Sequence, residues 1–121
     1  MARILIVEDD QGVRDLLGRV LGAKHYVVQT RNGREAIEAF DRNRPDLVIT
    51  DQNLPGMKGD EIILELRSRS PEQKIIAMTG VDHAVPSVDS DVDEVFLKPM
   101  DLDALEEAVE RLLAESAGER P

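Results

Sequence analysis

Apolar residues gather in five short unbroken runs, and between the runs they recur every three or four positions. The runs are Arg3 to Val7, Tyr26 to Thr30, Leu47 to Thr50, Ile75 to Met78 and Val95 to Leu97. Continuous runs of this length mark strands buried on both faces. Between them, Val13, Leu16, Leu17, Val20 and Leu21 predict a first helix, with Asp10 placed to cap its start and Gly22 near its end. Asn32-Gly33 reads as a turn, and Ala36, Ile37 and Phe40 mark the inner face of a second helix that stops before Pro45. Gly59-Asp60 leads into a third helix carrying Ile62, Ile63 and Leu66 inward, ended by Ser70-Pro71. Asp101 caps a last helix on Leu102, Leu105, Val109 and Leu112, and Ala117 to Pro121 reads as a frayed tail.

Strands alternating with helical patterns imply right-handed crossovers and a parallel sheet with helices on both faces. In such doubly wound α/β sheets the ligand site lies beyond the carboxyl ends of the strands. Chemistry-bearing residues stand at those ends: Glu8 and Asp9 after the first strand, Asp51 after the third, Thr79 after the fourth and Lys98 after the fifth.

Composition narrows what that edge does. The chain of 121 residues makes one domain over 1–121, without Cys, so disulfides, thiol chemistry and Cys-based zinc sites are excluded. Acids outnumber bases 25 to 15, a net charge of -10, which disfavours direct binding of nucleic acid or anionic membranes. No run is long enough to span a membrane and no signal peptide precedes the first strand, so a cytoplasmic protein is expected.

Carboxylates brought together repel one another unless a cation intervenes. An all-oxygen cluster suits a hard divalent ion, and Mg²⁺ takes one or two carboxylates plus waters and a phosphate oxygen. Lys98 adds a fixed positive charge and Thr79 a hydroxyl, a set that fits the oxygens of a phosphoryl group. Asp51 is then placed to act as a nucleophile. Each residue also has a plainer use. Glu8, Asp9 and Asp10 favour a helix N-terminus, Thr79 serves a turn, and Lys98 suits a solvated position before Pro99. His25 and His83 lack partners at metal spacing and read as surface residues.

The chain resembles the receiver (CheY-like) domain of two-component response regulators along nearly its whole length. The resemblance rests on ILIVEDD, DLVITDQNLPGMKG, AMTG and FLKP, four motifs in order, each at a strand end. It implies a flavodoxin-like sheet of strand order 2-1-3-4-5. It further implies that Asp51 takes a phosphoryl group from a histidine kinase or histidine phosphotransfer protein in a Mg²⁺-dependent reaction. Asp9 would ligate the metal directly, Glu8 through water, and Asn53 through its backbone carbonyl. Lys98 would pair with Asp51 and then with the phosphoryl group, and Thr79 would move to bind it. Such a domain catalyses only its own phosphorylation and dephosphorylation, and signals by changing conformation. With no output domain after the last helix, any effector is expected to be a separate protein or to lie outside this sequence.

Three departures from the family pattern bear on output. Glu8 replaces the commoner Asp, and Val95 stands where an inward-swinging aromatic is usual. The stretch 81–94 carries Pro86, two serines and five acids, so the family's fourth helix is expected to be short, irregular or replaced by an acidic loop. The altered switch region argues for an alternative, a receiver-shaped interaction module whose output does not depend on phosphate. The complete acid–lysine–threonine set argues against it and for the phosphoacceptor receiver. A hydrolase with an aspartate nucleophile needs a second Asp two residues after the first, where this chain has Asn53.

Overall fold

Each apolar run becomes a strand in the computed structural model, which describes residues 2–52, 54, 56–80 and 92–119. In chain order these are β1 (Arg3–Val7), α1 (Gln11–Gly22), β2 (Tyr26–Thr30), α2 (Gly33–Asn43) and β3 (Leu47–Asp51). They are followed by α3 (Gly59–Arg69), β4 (Lys74–Thr79), β5 (Glu94–Leu97) and α4 (Leu102–Glu119). The strands form one parallel sheet in the order β2-β1-β3-β4-β5, the order that the resemblance implies.

Alternation along the strands divides the core in two. Ile4 and Ile6, Leu47 and Ile49, and Ile76 and Met78 face α1 and α4, where they meet Leu17, Leu21, Leu105, Val109 and Leu112. Leu5, Val7, Val48 and Ile75 face the other way, onto Ala36, Phe40, Ile62, Ile63 and Leu66 of α2 and α3. Burial on both faces is what continuous rather than alternating apolar runs require. Each fully buried Leu or Ile contributes about 1.5–3 kcal/mol relative to exposure.

Caps set the helix starts. Asp10 accepts from Val13 N at 3.0 Å at the head of α1, and Asp101 accepts from Asp103 N at 2.9 Å at the head of α4. Asn32, read as half of a turn, is instead the N-cap of α2, accepting from Glu35 N at 2.9 Å, with Gly33 already helical. Arg44, the C-cap of α2, adopts a left-handed conformation with φ 47. Its guanidinium lies 5.9 Å from the centre of the Phe40 ring.

Several boundaries or faces differ from the sequence reading. Leu16, one of the apolar positions that predict α1, is 43% exposed, because Leu17 and Leu21 already occupy the contact line with the sheet. Ala39 is buried in α2 beside the expected residues. β5 begins at Glu94, one residue early, and α4 runs to Glu119, three residues into the expected tail. The expectation of a reduced fourth helix falls on 81–94, of which 81–91 lie outside the described residues. Among the described residues no helix is long and apolar enough to cross a membrane.

Candidate functional site

Register explains why the strand-end residues converge. Ile6 pairs with Ile49, Ile49 with Ile76, and Met78 with Phe96. Two residues beyond Ile6, Ile49 and Phe96 stand Glu8, Asp51 and Lys98, so side-chain alternation sends all three to one face. Glu8 is still held at the sheet's end, its amide donating to Thr30 O at 3.0 Å, and Lys98 N donates to Thr79 O at 2.8 Å.

The Lys98 ammonium binds two carboxylates at once. Nζ donates to Glu8 Oε1 at 2.5 Å and to Asp51 Oδ2 at 2.8 Å. Glu8 is 0% exposed and Asp51 3% exposed. Asp9 sits at the surface, yet one carboxylate oxygen from each of Glu8, Asp9 and Asp51 lies within 4.8 Å of the others. Thr79, 1% exposed, ends β4 with its Oγ1 bonded to no partner among the described residues. Asn53 and Pro55 lie outside the described residues. The turn that leaves Asp51 passes through Gly56, whose φ of 83 suits a residue without Cβ.

These positions separate the chemical from the plain use of each residue. Capping of α1 falls to Asp10 alone and does not account for a fully buried Glu8. Nor is Lys98 a solvated lysine before Pro99, since its head is committed to two carboxylates. His25, expected at the surface, has a side chain only 10% exposed and bonds Glu110 at 2.9 Å.

Electrostatics in the site are strained. Burial pushes the Glu8 carboxyl from the ordinary 4.5 up to about 7, and its hydrogen bond with Asp51 adds to the rise while Lys98 opposes it. For Lys98, burial favours the neutral form, but the bonds to Asp51 and Glu8 outweigh it and the net direction is upward. One ammonium thus faces three carboxylates. Glu8 Oε2, buried, accepts from nothing among the described residues. Converging anionic oxygens with an unfilled acceptor, and neither Cys nor His, fit a hard, partly hydrated divalent cation.

One residue that the sequence reading passes over belongs to this site. Arg14, one turn into α1, donates from Nη1 to the carbonyl oxygens of Glu8 at 2.9 Å and Asp9 at 3.4 Å. An arginine on the helix that follows an acidic run was its only signal.

A five-stranded parallel sheet carrying acids, a lysine and a threonine at its carboxyl edge defines the receiver class. The family model for the response regulator receiver domain matches residues 4–110, and the chain belongs to that family, the phosphoacceptor domain of two-component response regulators. Among its relatives is the sporulation initiation phosphotransferase F of Bacillus subtilis, 35% identical over 92% of this chain and 93% of that protein. The response regulator MprA of Mycolicibacterium vanbaalenii is 36% identical over 93% of this chain, which spans only 49% of that longer protein. Among solved structures, response regulator TrrA of Thermotoga maritima, in complex with Mg²⁺–BeF, is 34% identical with a TM-score of 0.82, covering 93% of this chain and 99% of that one. NtrX of Brucella abortus gives a TM-score of 0.90 at 27% identity, over 98% of this chain and 28% of that one.

Proposed function

We propose that Asp51 is the residue phosphorylated in this receiver, with Mg²⁺ as cofactor and the phosphohistidine of a histidine kinase or phosphotransfer protein as donor. The observation that carries this reading is the double grip of Lys98 on Glu8 and Asp51, with Asp9 closing the oxygen cluster. Glu8, Asp9, Asp51 and the backbone carbonyl of Asn53 would hold the metal, Asp9 directly and Glu8 through water. When bound, Mg²⁺ offsets negative charge on the carboxylates and on the transferring phosphoryl oxygens.

The chain's own residues do the rest. An Asp51 carboxylate oxygen attacks phosphorus while the phosphorus–nitrogen bond to the donor imidazole breaks, and the imidazole leaves with the bonding pair. Lys98, already bonded to the acceptor, follows the charge onto the phosphoryl oxygens. The Thr79 hydroxyl, uncommitted among the described residues, supplies a second donor to them. The domain turns over no other substrate; it works in the cytoplasm and hands its state to a separate effector or to a segment outside this sequence.

The test is intact mass after incubation with acetyl phosphate and Mg²⁺. The chain should gain one phosphoryl group, and Asp51→Asn should gain none. Full labelling of Asp51→Asn under the same conditions would overturn the assignment.

A further inference from the structure

We propose that Arg14 is a positioning residue for the metal-binding acids: it holds the β1–α1 turn so that Glu8 and Asp9 present their carboxylates together. This rests on the reading of Glu8 and Asp9 as metal ligands given above.

Three successive carbonyls, those of the whole acidic run, accept from this one residue. The Arg14 guanidinium takes Glu8 O at 2.9 Å and Asp9 O at 3.4 Å, and the Arg14 amide takes Asp10 O at 2.9 Å as an ordinary helical bond. The run is therefore pinned along its backbone from the side of α1.

The two acids need that pinning to different degrees. Glu8 is fixed from three directions, by Thr30 O on its amide, by Lys98 on its side chain and by Arg14 on its carbonyl. Asp9 is exposed, and among the described residues no donor is bonded to its carboxylate. Its oxygen nevertheless lies within 4.8 Å of those of Glu8 and Asp51, where like charges repel. A short side chain on a surface turn stays in such a place when its backbone is held, and among the described residues the Arg14 guanidinium is the side-chain group bonded to that backbone. Carbonyls, not carboxylates, receive the guanidinium, so Arg14 acts on placement and not as a counter-ion in the cluster. Arginine suits the task because one planar head offers several fixed N–H groups, whereas a lysine offers a single mobile point.

Outer residues that orient metal ligands typically alter metal affinity 10–100-fold when changed. The experiment is a Mg²⁺ titration of the full chain, followed by amide shifts, for the parent, Arg14→Ala, Arg14→Lys and Arg19→Ala. Arg19→Ala removes the same charge from the last turn of α1 without touching the turn. Arg14→Ala and Arg14→Lys should each raise the Mg²⁺ Kd by about tenfold, and Arg19→Ala should leave it unchanged. In acetyl phosphate labelling, the Mg²⁺ concentration for half-maximal rate should rise in step for the Arg14 variants, while the rate at saturating Mg²⁺ returns to the parent's. A purely structural defect would lower that saturating rate and would not be cured by metal. Should Arg14→Ala fail to fold, Arg14→Lys decides by the same reading. Parent-like affinity in either variant, or an equal loss in Arg19→Ala, overturns the proposal. A parent that binds no Mg²⁺ would instead sink the functional reading beneath it.

Discussion

Metal-free protein is expected to lose stability as the pH rises, and Glu8→Gln to remove that loss. Glu8 is fully buried, and burial is the first reason its carboxyl titrates at about 7 in place of 4.5. In the unfolded chain the ordinary value returns. Between the two values the folded protein keeps a proton that the unfolded chain has released, so stability falls as pH climbs from about 4.5 to about 7. At about 1.36 kcal/mol per pH unit, a gap of about 2.5 units costs about 3 kcal/mol once the pH exceeds 7. Lys98 does not disturb this window, because its upward direction acts only above its ordinary 10.5. Glutamine keeps the shape and the acceptor for Lys98 but has no charge to bury. Urea unfolding of both proteins in chelator at several pH values between 5 and 8 makes the comparison, and the difference between them isolates Glu8, since the other acids are common to both. That difference should move in the variant's favour by about 2.5 kcal/mol between pH 5 and 8, since part of the loss is already present at pH 5. A flat difference, or one that moves in favour of Glu8 as pH rises, refutes the reasoning. Added Mg²⁺ at the upper end should restore the parent more than the variant, because the metal replaces the missing counter-charge.

Three further outcomes are expected. Asp9→Ala should weaken Mg²⁺ binding more than Glu8→Ala, and calorimetric titration of both variants checks the ranking; equal losses would count against a direct Asp9 ligand. Gly59→Ala places a Cβ 2.6 Å from Gln52 Cα, a backbone atom beside the acceptor, and should cost about 1–3 kcal/mol in urea unfolding. Gly22→Ala meets nothing within 4 Å at the end of α1 and should add about 0.5–1 kcal/mol, so a loss there would show that α1 ends under a constraint not visible in its surroundings.

Much of the fold was legible because the central strands β1, β3 and β4, buried on both faces, leave an unbroken apolar signal that helices between them do not. The edge strands β2 and β5 carry the same kind of run but are only partly buried. Where the reading failed, the residue types served two structures equally well. Asn32 has the side chain that suits either a turn or an N-cap, and only the surrounding backbone decides for the cap. Five apolar residues in α1 mark a face broader than the line that touches the sheet, and Leu16 at its margin lies 43% exposed. Ala39 is nearly invisible to a pattern built on large side chains, though it is buried. At the far end, Ala117 to Glu119 carry a glycine and no apolar stripe and so read as an end, yet the backbone carries α4 onward through Gly118.

The site was legible for a stronger reason than motif spelling: in a parallel sheet every strand ends at the same edge, so strand-end residues must meet. What strand ends alone do not give is the face. Neighbouring acids of like chemistry come out opposite, Glu8 sealed in the sheet and Asp9 at the surface, and register makes the choice. Once Ile6 faces Ile49 and Met78 faces Phe96, a step of two carries Glu8, Asp51 and Lys98 to one side. Thr79, on the other alternation with Ile75 and Ala77, ends buried with its hydroxyl uncommitted among the described residues. Glu8 in place of the family's usual Asp takes its meaning from the same geometry. A longer arm from a buried position still meets the Lys98 ammonium, and the extra methylene lies inside the core, not in water. The substitution therefore leaves the charge arrangement intact and places more of the acid in the low-dielectric interior. That is the condition under which a carboxyl holds its proton up to about 7 and metal and proton compete for one site.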